Sequence, residues 1–81
     1  MRVNVRLFAS LREAVGRERL SLEIPAGASV EDAWRRLVTQ HPTLEPRRQS
    51  LAAAINRSYS PFESVLKAGD EVAFIPPVSG G

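Results

Sequence analysis

The sequence contains no cysteine and only one histidine among its 81 residues. A chain without cysteine forms no disulfide, offers no thiolate nucleophile and binds no metal through sulfur. His41 has no partners in the sequence that would complete a metal site or a catalytic dyad, so we interpret it as the C-terminal residue of a helix. The acids are scattered and no phosphate-binding glycine loop is present, so the chain is not expected to be an enzyme by itself.

Long apolar runs are also absent. The first residues, MRVNVRLF, alternate polar with apolar side chains, which is typical of neither a signal peptide nor a membrane span. We therefore expect a cytoplasmic protein without a membrane partner. The sequence has no repeat, low-complexity tract or linker-like stretch, and its 81 residues suffice for one compact domain.

The charge balance excludes an obvious nucleic-acid partner. Ten arginines and one lysine are set against nine acids, which gives a formal net charge of +2. The pairs Arg35-Arg36 and Arg47-Arg48 have no aromatic side chains interleaved with them and follow no recognition-helix pattern. We interpret both pairs as solvated surface.

The hydrophobic pattern predicts four strands and two helices. Apolar side chains alternate with polar ones, or form a short apolar run, in four predicted strands: Arg2–Phe8, Leu20–Ile24, Leu51–Ile55 and Glu71–Ile75. A short helix is expected over Ala9–Val15, closed by a left-handed Gly16. Residues Thr43–Ser50 are predicted to be a loop with room for a helical turn, and Phe62–Leu66 to form one helical turn.

The long helix has clear boundaries in the sequence. Ser29 followed by Asp32 resembles a capping box just ahead of an amphipathic run with apolar residues at helical spacing. The helix should end near His41, because Pro42 disfavours helical geometry in the residue before it.

This order of elements predicts an α+β fold, a ubiquitin-like β-grasp in which one main helix crosses a mixed sheet of four or five strands. The first two strands form a hairpin, and the last strand inserts beside the first and parallel to it. We predict a domain over residues 1–75 and a protruding tail over residues 76–81.

Two apolar residues do not fit the inward-facing pattern. Phe8 breaks the parity of the first strand, and Ile75 has the opposite parity from Val72 and Phe74. Parallel pairing of the two strands would bring Phe8 and Ile75 together, where the tail leaves. An exposed apolar patch often marks a partner site. The alternative is that Phe8 belongs to the short helix and packs inward.

The chain resembles the small subunit of molybdopterin synthase, also called the molybdopterin converting factor small subunit, a ubiquitin-like sulfur carrier. The resemblance spans the whole length and rests on three parts of the sequence: LFASLRE near the start, Asn56 after the third strand, and GDEVAFIPPVSGG at the end. It implies that Tyr59 joins Phe8 and Ile75 in the partner-docking patch.

The resemblance implies a specific chemistry at the last residue. The Gly81 carboxylate would be adenylated by a partner, a ubiquitin-activating-like adenylyltransferase that uses ATP and magnesium, while this chain itself binds no cofactor. Sulfur from a donor protein would displace AMP and leave a thiocarboxylate. The large synthase subunit, with which the family forms a heterotetramer, would receive the tail in a channel and transfer the sulfur to a cyclic pyranopterin. The tail residues are Pro76, Pro77, Val78, Ser79, Gly80 and Gly81.

The residues themselves agree with this chemistry. A carboxylate is a poor electrophile, so it must be activated, and a chain without cysteine has hardly another place to carry sulfur covalently. The two prolines fix their φ angles and favour an extended direction, and six extended residues reach about 20 Å. Glycines without a Cβ suit a narrow channel.

Other functions remain open from the sequence. One is sulfur transfer in thiamine synthesis or tRNA thiolation, which uses the same fold and tail. Another is a ubiquitin-like protein modifier that is joined to lysines through Gly81. The third is a non-covalent interaction module in which the tail has no role.

Overall fold

The computed structural model describes residues 1–77. In chain order its elements are β1 (Arg2–Leu7), α1 (Ala9–Val15), β2 (Arg19–Glu23), α2 (Val30–Gln40), a 3₁₀ helix (Pro42–Ser50), β3 (Ala52–Ile55), β4 (Ser58–Tyr59) and β5 (Glu71–Ile75). The five strands form one sheet in the order β2-β1-β5-β3-β4. β1 is parallel to β5, and the other neighbouring strands are antiparallel. The predicted β-grasp, with its last strand beside the first, is confirmed.

The predicted helix boundaries rest on local hydrogen bonds. Gly16 ends α1 with a φ of 81°, and its N–H donates to the Arg12 carbonyl at 2.8 Å. Ser29 and Asp32 form the predicted capping box: the Asp32 N–H donates to the Ser29 hydroxyl, and the Ser29 N–H donates to the Asp32 carboxylate at 2.9 Å. The bond from the Ser29 backbone, followed by that from its hydroxyl, lowers the pKa of Asp32.

The core lies between α2 and one face of the sheet. Trp34 from α2 packs edge-on against Phe74 from β5, with ring centroids 5.1 Å apart. Phe62 stacks on the same Phe74 ring at 6.2 Å. These aromatic contacts join α2, β5 and the segment before β5 in one cluster. Two separate parts of the chain therefore hold the core-facing side of β5.

The segment from Pro42 to Ser50 is more ordered than the sequence predicts, because it is a 3₁₀ helix along its whole length. Leu44 is fully buried in the core. Arg48 donates to Glu31 of α2 at 2.6 Å, and its guanidinium carbon lies 3.5 Å from the centroid of the Phe62 ring. Tertiary contacts therefore hold a segment in which local sequence has no strong periodic pattern.

The prediction of a helical turn over Phe62–Leu66 is wrong. A tight turn closes with the Ser64 N–H donating to the Pro61 carbonyl at 3.1 Å. The carbonyls of Phe62 and Ser64 then accept from Glu31 and Val30, both at 2.9 Å. The first amides of a helix have no partner within the helix, and this segment supplies acceptors for two of them.

Smaller differences occur at the ends of elements. β1 ends at Leu7 rather than Phe8, because the Phe8 carbonyl accepts from the Leu11 N–H at 3.0 Å and starts the turn into α1. β2 lies one residue earlier than predicted, β3 begins one residue later, and His41 is the cap that follows α2. β4 was not predicted as a separate strand.

Candidate docking face and C-terminal tail

The outer face of the sheet, opposite α2, is defined by the alternation along its central strands. Val72 and Phe74 of β5 belong to the core, so Ala73 and Ile75 lie on the other side. The same alternation along β1 places Arg6 on this outer face, since its neighbours Val5 and Leu7 are buried. The outer face is therefore the side of the sheet that points away from the core.

A row of directly paired residues crosses this face. Arg6 lies opposite Ala73, Ala73 lies opposite Ala54, and Ala54 lies opposite Tyr59. The two alanines are about 5% exposed but do not belong to the core cluster, whereas Tyr59 at the end of the row is 75% exposed. The exposed apolar surface of this row is therefore that of Tyr59, and two small buried side chains lie beside it.

Phe8 and Ile75 lie at one end of this surface. The parallel register pairs Leu7 with Phe74, and one further step along both chains brings residues 8 and 75 level with each other. Both are half-buried, and neither is among the core side chains or those packed against them. The Arg6 guanidinium carbon is 5.0 Å from the Phe8 ring centroid, a cation–π contact that holds the ring on this side. We call Phe8, Ala54, Tyr59, Ala73 and Ile75 the docking face.

A strained residue follows Phe8. Ala9 has a φ of 48°, in the left-handed region that disfavours a side chain. This conformation turns the chain directly from β1 into α1 and leaves Phe8 extended at the corner, with a φ of −121°. The strain therefore falls beside one of the two aromatic residues of the docking face.

Asn56 fixes the start of the strand that leads to the tail. Its amide donates to the Asp70 carboxylate at 3.0 Å, and its side-chain oxygen accepts from the Glu71 N–H at 3.0 Å. Its own N–H donates to the Glu71 carbonyl at 2.8 Å. Asn56 has a φ of 49°, a conformation that asparagine tolerates better than most residues. Sequence reasoning found Asn56 only through the resemblance and missed this role.

The tail leaves from the middle of the sheet. β5 lies between β1 and β3 and ends at Ile75, after which Pro76 is half-buried and Pro77 is exposed. A proline has no N–H for a sheet ladder, which agrees with the end of the strand here. Val78, Ser79, Gly80 and Gly81 lie outside the described residues, so their roles remain predictions.

The docking face has the chemistry of a binding surface. Its five residues include no acid, histidine or other catalytic base. Across residues 1–77 there is no group of three or more histidine or acidic side chains arranged to hold a metal ion. The helices of residues 1–77 also lack the length and the apolar composition of a membrane span. The face therefore offers apolar and aromatic contact area but no side chain suited to acid–base catalysis.

Comparison with known proteins assigns the family. The model of the ThiS family matches residues 5–81, which is nearly the whole chain. The chain belongs to the ThiS family. The molybdopterin synthase sulfur carrier subunit of Mycobacterium tuberculosis is 38% identical over 82 residues, covering 100% of this chain and 99% of that protein. The protein of the same description from Arabidopsis thaliana is 37% identical over 79 residues, covering 98% and 82% of the two chains. The resemblance seen in the sequence is confirmed.

The ThiS family assignment agrees with the structural comparison. The crystal structure of SAMP1, small archaeal modifier protein 1, from Haloferax volcanii superposes with a TM-score of 0.91. It is 32% identical and covers 100% of both chains. The two proteins thus have the same fold.

Proposed function

We propose that this protein is the sulfur carrier subunit of a molybdopterin synthase and that its reagent is the carboxyl group of Gly81. The observation that carries the proposal is the family match over residues 5–81, which runs through the last glycine. Relatives from a bacterium and a plant, both more than a third identical, have the description of such a carrier. The exit of the chain from the central strand, beside an exposed aromatic face, supports it.

The first step is activation of the carboxylate. The Gly81 carboxylate attacks the α-phosphate of ATP on an adenylating partner enzyme, and pyrophosphate leaves. A magnesium ion on that partner balances the phosphate charge. The mixed anhydride is needed because a bare carboxylate repels nucleophiles and has no good leaving group. This chain contributes no catalytic side chain to the step and binds neither ATP nor magnesium by itself.

The second step loads the sulfur. A sulfide equivalent from a donor protein attacks the acyl carbon, AMP leaves, and Gly81 becomes a thiocarboxylate. The chain then docks on the large synthase subunit through Phe8, Tyr59 and Ile75. Its tail, from Pro76 to Gly81, enters the active site of that subunit. There the sulfur bonds to a cyclic pyranopterin, water cleaves the bond between the sulfur and the Gly81 acyl carbon, and the Gly81 carboxylate is restored.

Mass spectrometry tests the proposal. The purified protein is incubated with the adenylating enzyme, ATP, Mg²⁺ and a sulfide source. The masses of the intact chain and of its C-terminal peptide are then measured. We expect one oxygen to be replaced by sulfur in that peptide. A variant lacking Gly81, and a reaction without ATP, should show no change. If the full chain stays unchanged while the Mycobacterium tuberculosis relative is converted in parallel, the proposal is wrong.

A second function is favoured by one observation, the similarity to SAMP1, whose name describes a modifier protein. In that case the activated Gly81 is captured by the amino group of a lysine on another protein. Conjugates of higher mass in the native cells would then appear on a blot against this chain, and a variant lacking Gly81 would abolish them. A carrier dedicated to sulfur transfer gives the thiocarboxylate without such conjugates.

A further inference from the structure

Three arginines line one cleft on the outer side of β1 and β2. Arg6 and Arg19 are directly opposite each other in the antiparallel pair, and Arg17 lies just before β2. Together with Asn4 and Ser21 they surround a cleft of about 320 Å³. Like charges directly opposite each other destabilise a sheet. The arrangement therefore works against folding unless another group compensates for it.

Within residues 1–77 no ion pair compensates for this charge. The ion pairs in this range use Glu23 and Glu31 as their only acids, and none includes the three arginines of the cleft. Glu71 is the one acid in the lining, and it forms no ion pair with them. In the same part of the chain the Arg6 Nε atom is buried without a hydrogen-bond partner. A buried donor without an acceptor is costly, because its hydration has been lost without replacement.

The cleft is continuous with the docking face. Arg6 connects the two, since it lines the cleft and its guanidinium lies over the Phe8 ring of the docking face. It also begins the paired row that leads through Ala73 to Tyr59. A protein that covers Phe8 therefore also lies beside the cleft.

We propose that this cleft receives carboxylate side chains of the large synthase subunit when that subunit covers the docking face. The inference rests on the proposed function, because it names the partner from that function. Guanidinium groups bind carboxylates with two parallel hydrogen bonds, and the pairing is strongest where water is excluded. An aspartate or glutamate in the cleft would provide an acceptor for Arg6 and balance its repulsion with Arg19.

An acidic protein segment fits this cleft better than a nucleic acid. The positive charge is confined to one cleft beside an apolar aromatic surface, while the whole chain has a net charge of only +2. Charged residues beside an apolar interface core raise the association rate and select the partner. The cleft therefore has the composition expected at the rim of a protein interface.

Charge reversal of Arg19 tests the proposal, with Arg36 as the matched control. Both are exposed arginines, but Arg36 belongs to α2, on the other side of the sheet, so Arg19→Glu and Arg36→Glu change the net charge equally. Binding to the purified large subunit is measured by calorimetry. At a salt concentration of about 50 mM we expect Arg19→Glu to bind about ten-fold more weakly than Arg36→Glu, and the difference to shrink in about 500 mM salt. Arg17→Glu should weaken binding in the same way.

Thermal unfolding separates this effect from damage to the fold. Arg19→Glu places an acid opposite Arg6, so its melting temperature should rise by about 2–6 °C even though its binding weakens. Equal binding of the Arg19, Arg17 and Arg36 variants at low salt would overturn the inference, as would tighter binding of a nucleic acid that competes with the large subunit. If those variants bind equally and Tyr59→Ala binds about 30-fold more weakly or worse, the proposed function survives and the inference about the cleft is wrong. If the wild-type chain does not bind the large subunit at all, both are wrong.

Discussion

Substitution of Tyr59 by alanine should separate folding from docking. The Tyr59 side chain is 75% exposed and does not belong to the core cluster. Its backbone pairs with Ala54, and alanine retains that pairing. Exposed substitutions of this kind usually change the free energy of unfolding by about 0.5 kcal/mol or less. The variant should therefore fold with nearly the stability of the wild-type chain.

The expected loss of binding is much larger. If the large subunit covers the docking face, the exposed phenol becomes buried there, and burial of a large apolar side chain contributes about 1.5–3 kcal/mol. Aromatic residues near the centre of an interface often cost about 2 kcal/mol or more when truncated. At 1.4 kcal/mol per factor of ten, a loss of about 2–3 kcal/mol weakens binding roughly 30- to 150-fold.

Phe62 provides the matched aromatic control. It is close in sequence but only 8% exposed, and it lies between the Phe74 ring and the Arg48 guanidinium. Phe62→Ala should lower the free energy of unfolding by about 3–5 kcal/mol. Urea denaturation measures the folding of both variants, and titration calorimetry with the large subunit measures their binding. A folded Tyr59→Ala chain that binds within about three-fold of wild type would refute the docking role of this face, because the expected loss is at least about 2 kcal/mol.

Four further predictions concern the stability of the fold. Ser29→Ala removes the cap of α2 and should lower the free energy of unfolding by about 0.5–2 kcal/mol in urea melts. The pKa of Asp32 is lowered in the folded state, so its capping bonds stabilise the fold above its ordinary pKa of 3.8 and are lost as the pH falls through the lowered pKa. The stability difference between wild type and Asp32→Ala should accordingly be largest near neutral pH and shrink in acid, and a difference independent of pH would contradict the capping role. Arg48→Ala should cost about 1 kcal/mol through the lost contacts with Glu31 and the Phe62 ring, and Arg47→Ala clearly less, in the same melts. Gly69 has a φ of 86° with open space where a Cβ would lie, so Gly69→Ala should cost about 1–2 kcal/mol from backbone strain alone, and Gly69→Asn less.

Elements with a repeating pattern were predictable from the sequence. The alternation of β1 and the helical spacing of α2 place their boundaries within one residue of those observed. β4 has two residues, too few for any period, and its hairpin turn uses Asn56 and Arg57 at positive φ without the glycine that usually marks such a turn. The sequence predicts a loop where the 3₁₀ helix lies, because this segment has prolines and charges with no hydrophobic period. Only Leu44 within it is buried, and contacts distant in sequence stabilise it.

The alternation of side chains along the strands predicted part of the candidate site. Phe8 and Ile75 were identified because each breaks the inward alternation of its strand, and both lie outside the core. The basic cleft was missed. Arg6 and Arg19 are far apart in sequence, and only the strand register brings them opposite each other. The sequence shows only arginines that are adjacent along the chain, such as Arg35-Arg36 and Arg47-Arg48. A cluster of arginines on a sheet depends instead on the pairing between strands.

The parallel pairing of β1 with β5 links docking to chemistry in the proposed reaction. Because β5 is central, the described chain leaves the sheet beside Phe8 and Ile75, so a protein that binds the docking face is held next to the start of the tail. Binding energy then comes from the face, and the reactive end needs no side chains of its own to attract the partner. The end of the tail can therefore consist of glycines, which fit a narrow channel. Docking also gives the reactive end a high local concentration at the active site of the partner. Lengthening the tail by a flexible Gly-Ser insert after Pro77 should therefore leave the affinity for the large subunit unchanged within about two-fold but slow sulfur transfer from a loaded chain, since local concentration falls as a linker lengthens. If the insert weakens the affinity by the same factor by which it slows sulfur transfer, the tail itself supplies the affinity and this reasoning is wrong.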